Sequence, residues 1–269
     1  MKKIIALLLV LTMALSFAAC EDSTNTSSVA STATSSATSS EASSEASSEA
    51  VSSEASSEDA SSEVENSDVM THADYIAAAI DDEVVIETYV QAHQSWWDNK
   101  ITVYCQSPDG AYFLYELACS EEDAAKLVPG TKIRVNGYKG EWEGEVEVMD
   151  GTFTFVEGGD TFIAEATDVT ALLGTDELIA HQNEFVSFKG MSVKSIEYKN
   201  GEPGDDIYVT LSLNDVDYSF CVEFYLTGSD SDVYKAVGEL KEGDVVDVEG
   251  FLYWYKGANT HITAVTVVE

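Results

Sequence analysis

Hydrophobic and polar residues alternate along several short stretches of the chain, a pattern typical of half-buried β-strands. Residues 101–105 place Ile101, Val103 and Cys105 on one face, and residues 207–213 alternate in the same way. Turn-forming dipeptides, not long apolar runs, separate these stretches. The pattern therefore predicts a chain built mainly from short strands.

The predicted elements of the first folded region are three strands, a short helix and two more strands. The strands are expected at residues 84–90, 101–105, 111–115, 131–137 and 146–156, and the helix runs from Ser120 to Leu127. A helix between strands three and four is the element order of the OB fold. Other all-β folds, such as the jelly roll, lack a helix in that place.

The same order occurs twice, because the chain contains an internal repeat. Leu127 to Gly137 matches Leu240 to Gly250 in the pattern of leucine, glycine and β-branched residues. A second match runs without a gap from Gly144 and Gly257 to the end of the last predicted strand. The folded region is therefore a tandem duplication. Gly137 and Gly250 are expected at a kink or bulge where a Cβ atom would be crowded.

The repeat motif Leu-x-x-Gly-x-x-Val-x-Val-x-Gly, preceded by Phe220-Cys221-Val222, resembles the tRNA-anticodon-binding-like OB-fold family of bacterial lipoproteins and secreted proteins. The resemblance covers residues 74–156 and 175–269. It implies two tandem five-stranded OB-fold barrels, an all-β chain with short helices. We place the two domains at residues 69–160 and 161–269. The family name implies nucleic-acid binding by fold analogy.

The first twenty residues have the pattern of a secretory signal. Lys2 and Lys3 precede an apolar run, and Ala18-Ala19-Cys20 follows it. This ending resembles the lipobox of bacterial lipoproteins, which implies a signal peptide over residues 1–19 and a lipid on Cys20. The alternative is an ordinary cleaved signal with an incidental cysteine. We expect a lipid-anchored protein on the extracytoplasmic face of the cell membrane.

Residues 20–68 consist largely of serine, alanine, threonine and glutamate, with Glu-Ala-Ser-Ser repeated several times. Such a segment has too few apolar side chains to offset the entropy lost on folding. We predict a disordered linker that acts as a stalk between the anchor and the barrels.

The formal net charge of the chain is −36. A field of this sign repels phosphate backbones and anionic lipid headgroups. The charge is consistent with solubility outside a cell, and the alternative is capture of a cationic or Ca²⁺-bearing partner. From the charge we expect nucleic acid to be an unlikely partner.

Motifs for catalysis or for metal binding are missing from the sequence. The four histidines have no metal-ligand spacing, and no Cys-x-x-Cys, nucleophile elbow or phosphate loop is present. The pairs Asp215/Asp217 and Asp230/Asp232 suggest Ca²⁺, but a turn and a helix cap explain them equally well. We therefore expect no enzymatic activity, no cofactor and no metal, and free, buried thiols at the remaining cysteines.

Aromatic residues are the remaining candidates for ligand binding. OB folds bind ligands along strands two and three and at the loops that join strands one–two and four–five. The aromatic residues at those places are Trp96, Trp97, Tyr104, Tyr112 and Trp142 in the first copy and Tyr208, Tyr253, Trp254 and Tyr255 in the second. Aromatic rings beside hydrogen-bond acceptors suit sugars, peptides or a protein partner. The alternative is that several of these rings pack the barrel ends or the joint between the domains.

These observations predict a surface-anchored lipoprotein with a non-catalytic binding or scaffold role at the cell envelope, for a glycan, peptide or protein ligand. The alternative hypothesis is that the protein binds single-stranded nucleic acid through its OB folds.

Overall fold

The computed structural model describes residues 68–268, which form mainly strands joined by short helices and turns. The predicted signal peptide, Cys20 and the predicted stalk lie outside the described residues. Within the described range, no helix is long and apolar enough to cross a membrane. The predicted fold class, an all-β chain with short helices, is confirmed.

Five strands of the first copy close into a barrel. They are β1 (Glu83–His93), β2 (Lys100–Ser107), β3 (Gly110–Ala118), β4 (Lys132–Trp142) and β5 (Glu145–Phe155). The strands follow the order β1-β2-β3-β5-β4 around the barrel, and β4 pairs back with β1. Only β3 and β5 run parallel among these pairs. A closed barrel of five strands with a Greek-key order is the OB fold.

The second copy repeats this topology. It begins with the two-residue strand β6 (Thr167–Asp168), and its longer strands are β7 (Phe185–Tyr198), β8 (Ile207–Leu213), β9 (Val216–Val222), β10 (Val245–Phe251) and β11 (Asn259–Val267). The sheet order is β10-β11-β9-β8-β7-β6, and an additional pairing of β10 with β7 closes the ring. The pair β9–β11 is parallel, as is β3–β5 in the first copy. The predicted duplication is therefore visible in strand order and direction.

Short helices lie where the sequence predicts them. They are α1 (His72–Ala77), α2 (Glu121–Ala124) between β3 and β4, and α3 (Phe224–Thr227) and α4 (Asp232–Glu239) between β9 and β10. Ser120 and Ser231 cap α2 and α4 by accepting a backbone N–H at the third helical position. The helix predicted to reach Leu127 ends at Ala124, because the chain turns there toward Pro129 and Gly130. Before β7, residues Leu178–His181 form a 3-10 turn.

Each barrel has its own hydrophobic core, built from the inward faces of its strands. Ile101, Val103 and Cys105 are all buried in the first core, as their alternation predicts. Cys105, Cys119 and Cys221 are free and buried, which confirms the expectation of free thiols. These two cores are the main apolar contribution to the stability of the fold.

Gly137 and Gly250 both lie at irregularities in strand register. The pairing of β4 with β5 shifts between Asn136 and Tyr138, and that of β10 with β11 shifts between Glu249 and Gly250. A Cβ added at Gly137 would lie 2.6 Å from Val148 Cγ1, and one added at Gly250 would overlap the backbone of His261. The prediction of crowded, bulged glycines is therefore confirmed in both copies.

Candidate functional site

The outer face of the first barrel packs against the second. Tyr104 and Phe113, on the outer faces of β2 and β3, form a buried cluster with Phe251 at the end of β10. The rings of Tyr104 and Phe251 stack with centroids 4.7 Å apart, and Phe113 contacts Tyr253 edge-on at 5.2 Å. In the first copy, then, the second barrel covers part of the surface where OB folds bind ligands.

A buried hydrogen bond fixes this joint. The hydroxyl of Tyr104 accepts from Gln94 Nε2 at 3.2 Å and lies 2.7 Å from Nδ1 of His261. Burial lowers the pKa of His261 to about 4, so the imidazole is neutral at physiological pH. A neutral ring with an unprotonated Nδ1 accepts the proton of the tyrosine hydroxyl, which satisfies both groups inside the joint.

Glu145 at the start of β5 is a second polar link between the copies. Its carboxyl accepts from the backbone N–H of Trp254 at 2.7 Å and from Gln182 Nε2 at 3.3 Å. The residue is fully buried, and desolvation raises the pKa of its carboxyl to about 8. Glu145 is therefore largely protonated at neutral pH, and the two hydrogen bonds that it accepts link the copies at the edge of the joint.

Beside the joint lies a cleft of about 880 Å³. One wall is the outer face of β8 and β9, represented by Tyr208 and Ser219, and the opposite wall comes from β3 and β5 of the first barrel. Trp142 lies just before the loop between β4 and β5, and Tyr255 lies in the loop between β10 and β11. The cleft thus combines the strand two–three face of the second barrel with the four–five loops of both barrels.

Exposed aromatic rings line this cleft. The rings of Trp142 and Tyr255 pack against each other with centroids 5.1 Å apart, although 51% of Trp142 and 42% of Tyr255 remain exposed. Tyr208 and Tyr115 add two more exposed rings on the opposing walls. These rings present open faces to a ligand.

The carboxyl groups of the cleft are less charged than their number suggests. Desolvation raises the pKa of Glu147 and of Glu223 to about 7 each. Asp206 is paired with Lys199 at 3.0 Å, and Lys256 brings a cation to the cleft wall. Near neutral pH the cleft is therefore partly neutralised, even though the whole chain carries a large negative charge.

The structure brings only some of the aromatic residues predicted from the sequence to this cleft. Trp142, Tyr208, Tyr253 and Tyr255 line it. Tyr104 is buried in the joint and Tyr112 in the core of the first barrel, each about 2% exposed, so neither offers a ring face to a ligand. Tyr112 lies inside because its strand parity places it with the core residues.

The three remaining tryptophans lie elsewhere. Trp96 is half-buried and donates its indole N–H to the carbonyl of Cys119 at 2.9 Å. Trp97 is 79% exposed and lines a smaller groove with Tyr115 and Tyr225. Trp254 is half-buried and packs against the second core, close to Gly144.

Sequence reasoning missed Tyr115, Glu147 and Glu223 as cleft residues. No sequence signal distinguishes a structural glutamate from one in a cleft. The described residues hold no cluster of three or more histidine, cysteine, aspartate or glutamate side chains suited to a metal ion.

Comparisons with known proteins show no family for this chain. No family model matches the chain, and no curated protein matches it. Among solved structures, a murine DNA-binding protein bound with double-stranded DNA has a TM-score of 0.35 at 11% identity, over 69% of this chain and 95% of that chain. The p204 HINb domain has a TM-score of 0.34 at 11% identity, over 71% of this chain and 100% of that chain.

A replication protein A heterotrimer bound to single-stranded DNA has a TM-score of 0.30 at 10% identity, over 70% of this chain and 49% of that chain.

Two expectations from the sequence are nevertheless corrected. The murine protein is bound with double-stranded DNA and the replication protein A heterotrimer with single-stranded DNA, which contradicts the expectation of a binding or scaffold module for a glycan, peptide or protein ligand. They also contradict the expectation that nucleic acid is an unlikely partner. The physical weakness of that expectation was its reliance on the charge of the whole chain, because burial raises the pKa of the glutamates that line the cleft.

Proposed function

We propose that the chain binds single-stranded nucleic acid, and that the bases enter the cleft between the two barrels. The observation that carries this proposal is the position of the cleft. It covers the strand two–three face of the second barrel and is flanked by the four–five loops of both barrels. These are the places where OB folds bind oligonucleotides.

The ring faces in the cleft support binding through bases. Trp142, Tyr255 and Tyr208 are each about half exposed, so a base can stack on them without displacing a core residue. Stacking of a base on an aromatic side chain contributes about 1–3 kcal/mol and depends little on base identity. Only unpaired bases can present their faces in this way, which favours a single strand over a duplex.

The charge of the cleft allows this mode of binding. Protonation of Glu147 and Glu223 near neutral pH removes negative charge from its walls, and Lys256 supplies a cation at the rim. The phosphates of a bound strand would remain on the open, solvated side, where water and salt screen repulsion. Binding therefore depends on base stacking more than on neutralisation of phosphates.

Fluorescence anisotropy with a labelled single strand of about 12 nucleotides tests the proposal, since one OB fold covers about 4–16 nucleotides. We expect binding in the micromolar range and weaker binding of the corresponding duplex. The double variant Trp142→Ala, Tyr255→Ala should weaken binding at least about tenfold. Tyr138→Ala, at an exposed tyrosine on β4 that does not line the cleft, is the matched control. An absence of binding to the wild type, or an equal loss in the control, would overturn the proposal.

We further propose that the protein acts outside the cytoplasm, held at the membrane by a lipid on Cys20. This rests on the sequence alone, with Lys2 and Lys3 before the apolar run and Ala18-Ala19-Cys20 after it. A strand that reaches the cleft would then be extracytoplasmic nucleic acid.

A further inference from the structure

Glu147 is a buried carboxyl group on the cleft wall without a polar partner. Only 4% of the residue is exposed, and its side chain lines the cleft. Among the described residues it takes part in no hydrogen bond or ion pair, and burial is what raises the pKa of its carboxyl to about 7. An acceptor that lines a cleft and has no protein partner is available to a hydrogen-bond donor of a ligand.

Two neighbouring glutamates accept hydrogen bonds from the protein backbone, which Glu147 does not. Glu145 lies two residues earlier on the same face of β5 and accepts from the backbone of Trp254. Glu223 caps α3 by accepting from the backbone N–H of Leu226 at 2.6 Å. Both are held by the protein itself. Glu145 and Glu223 each accept at least one hydrogen bond from the protein, whereas neither oxygen of Glu147 accepts one from a described residue.

The surroundings of Glu147 suit a flat, ring-shaped ligand. Glu147 is paired in register with Phe113 on the adjacent strand β3, and Tyr115 follows on the same face of that strand. The negative charge of Glu147 acts on the hydroxyl groups of both Tyr115 and Tyr253, so its carboxyl lies near these two rings. A planar ring held beside Tyr115 or Tyr253 can direct an N–H group to the carboxyl of Glu147.

We infer that Glu147 reads the exocyclic amino group of a bound base, which makes the cleft selective for cytosine over uracil. This inference rests on the proposed function, since it concerns a base in the same cleft. A glutamate oxygen accepting from the N4 amino group of cytosine is an established protein–base pairing. It supplies the hydrogen-bond partner that the protein does not give to Glu147.

The chemistry of the two bases explains the direction of the preference. Cytosine carries an amino group at position 4, where uracil carries a carbonyl oxygen. The ring N3–H of uracil is a donor, but it lies between two carbonyl oxygens that repel a carboxylate. The two bases have nearly the same ring size and stacking surface, so a difference in affinity reports the hydrogen bond and not the stacking.

The experiment is a pair of anisotropy titrations of the full chain, with labelled oligo(dC) and oligo(dU) of equal length, at about pH 8, one unit above the pKa of about 7, where Glu147 is largely ionised. We expect oligo(dC) to bind about tenfold more tightly than oligo(dU), as a hydrogen bond to a charged group predicts. Equal binding of both oligonucleotides would overturn this inference and leave the proposed function standing. Absence of binding by both would overturn the two together.

Two variants distinguish recognition of the base by Glu147 from a purely structural role of this residue. Glu147→Met keeps a similar volume without the carboxyl, so it should abolish the preference by lowering the affinity for oligo(dC) and not that for oligo(dU), and it should not lower the stability of the fold. Glu147→Gln, whose amide both donates and accepts, should reduce the preference without abolishing binding. A preference that persists in Glu147→Met would overturn the inference, and so would an equal loss of affinity for both oligonucleotides.

Discussion

The hydroxyl of Tyr104 lies 2.7 Å from Nδ1 of His261, across the joint between two barrels that share the same strand order. Both residues are buried, and the same hydroxyl accepts from Gln94. The joint is therefore held by a satisfied polar group inside an aromatic cluster, and the wall of the cleft depends on it.

Replacing Tyr104 with phenylalanine tests this link. The change leaves Nδ1 of His261 and the amide of Gln94 without their partner, so we expect a loss of about 1–3 kcal/mol in the free energy of unfolding. Urea denaturation followed by tryptophan fluorescence measures it. Tyr138→Phe, at an exposed hydroxyl, should change stability by less than about 0.5 kcal/mol. A loss in Tyr104→Phe no larger than in this control would contradict a stabilising role for the hydrogen bond.

The buried carboxyl of Glu145 makes stability depend on pH. Its pKa in the folded chain is about 8, raised from an ordinary value of 4.5, so between these values the folded state keeps a proton that the unfolded chain has released. This group's contribution to stability is therefore complete at low pH and is lost as the pH rises from about 5 to 8. The loss is on the order of a few kcal/mol, since one pKa unit corresponds to about 1.4 kcal/mol.

Glu145→Gln keeps an acceptor for the backbone N–H of Trp254 but cannot ionise. Its stability relative to the wild type should therefore improve steadily as the pH rises from about 5 to 9. Thermal unfolding of both proteins at matched pH values measures the difference. A difference that does not vary with pH would show that Glu145 titrates normally in the fold.

The bulge glycines should tolerate no larger side chain. Valine at Gly250 would collide with the backbone carbonyl of His261, which cannot move aside as a side chain can, and valine at Gly137 would collide with Val148 and the carbonyl of Met149. We expect each change to cost at least about 1 kcal/mol in the free energy of unfolding, with the larger loss at Gly250. Gly159→Val is the control, since the nearest atoms there belong to the flexible side chain of Lys132. Comparable losses at all three positions would argue against a special role for the bulges.

Salt should affect oligonucleotide binding in an unusual way. Binding driven by phosphate neutralisation weakens steeply with added salt. Here the chain carries a net charge of −36 and the bases are bound by stacking, so screening removes repulsion. Between about 50 and 500 mM NaCl we expect the affinity for a single strand to stay constant or to increase. A steep decrease in the anisotropy titrations would point to a phosphate site outside the cleft.

Anchoring is tested at Cys20. The wild type expressed in bacteria should incorporate a labelled fatty acid and partition into the detergent phase, because a thioether-linked lipid requires this thiol. Cys20→Ala should be unlabelled and should be either released or left unprocessed. Cys105→Ala, at a buried barrel cysteine, should be labelled as the wild type is. Equal labelling of Cys20→Ala would exclude a lipid at this position.

Local patterns in the sequence were enough to predict the strands, the order of elements and the duplication. Alternation at Ile101, Val103 and Cys105 depends only on the two-residue period of a strand, and a bulge glycine is needed wherever two backbones approach closely. The capping serines 120 and 231 act within one turn of their own helix. Such features involve neighbours in the chain, so the chain alone determines them.

The cleft is formed by contacts between residues far apart in sequence, so its position and lining could be identified only from the tertiary structure. Tyr104 is separated from His261 by more than 150 residues, and packing of one barrel on the other turned it from a predicted ligand residue into part of the joint. The same packing brought Trp142 against Tyr255 and placed Glu147 in a cleft wall. Composition measures the charge of the whole chain, whereas the protonation of Glu147 depends on how far the folded barrels exclude water from its carboxyl.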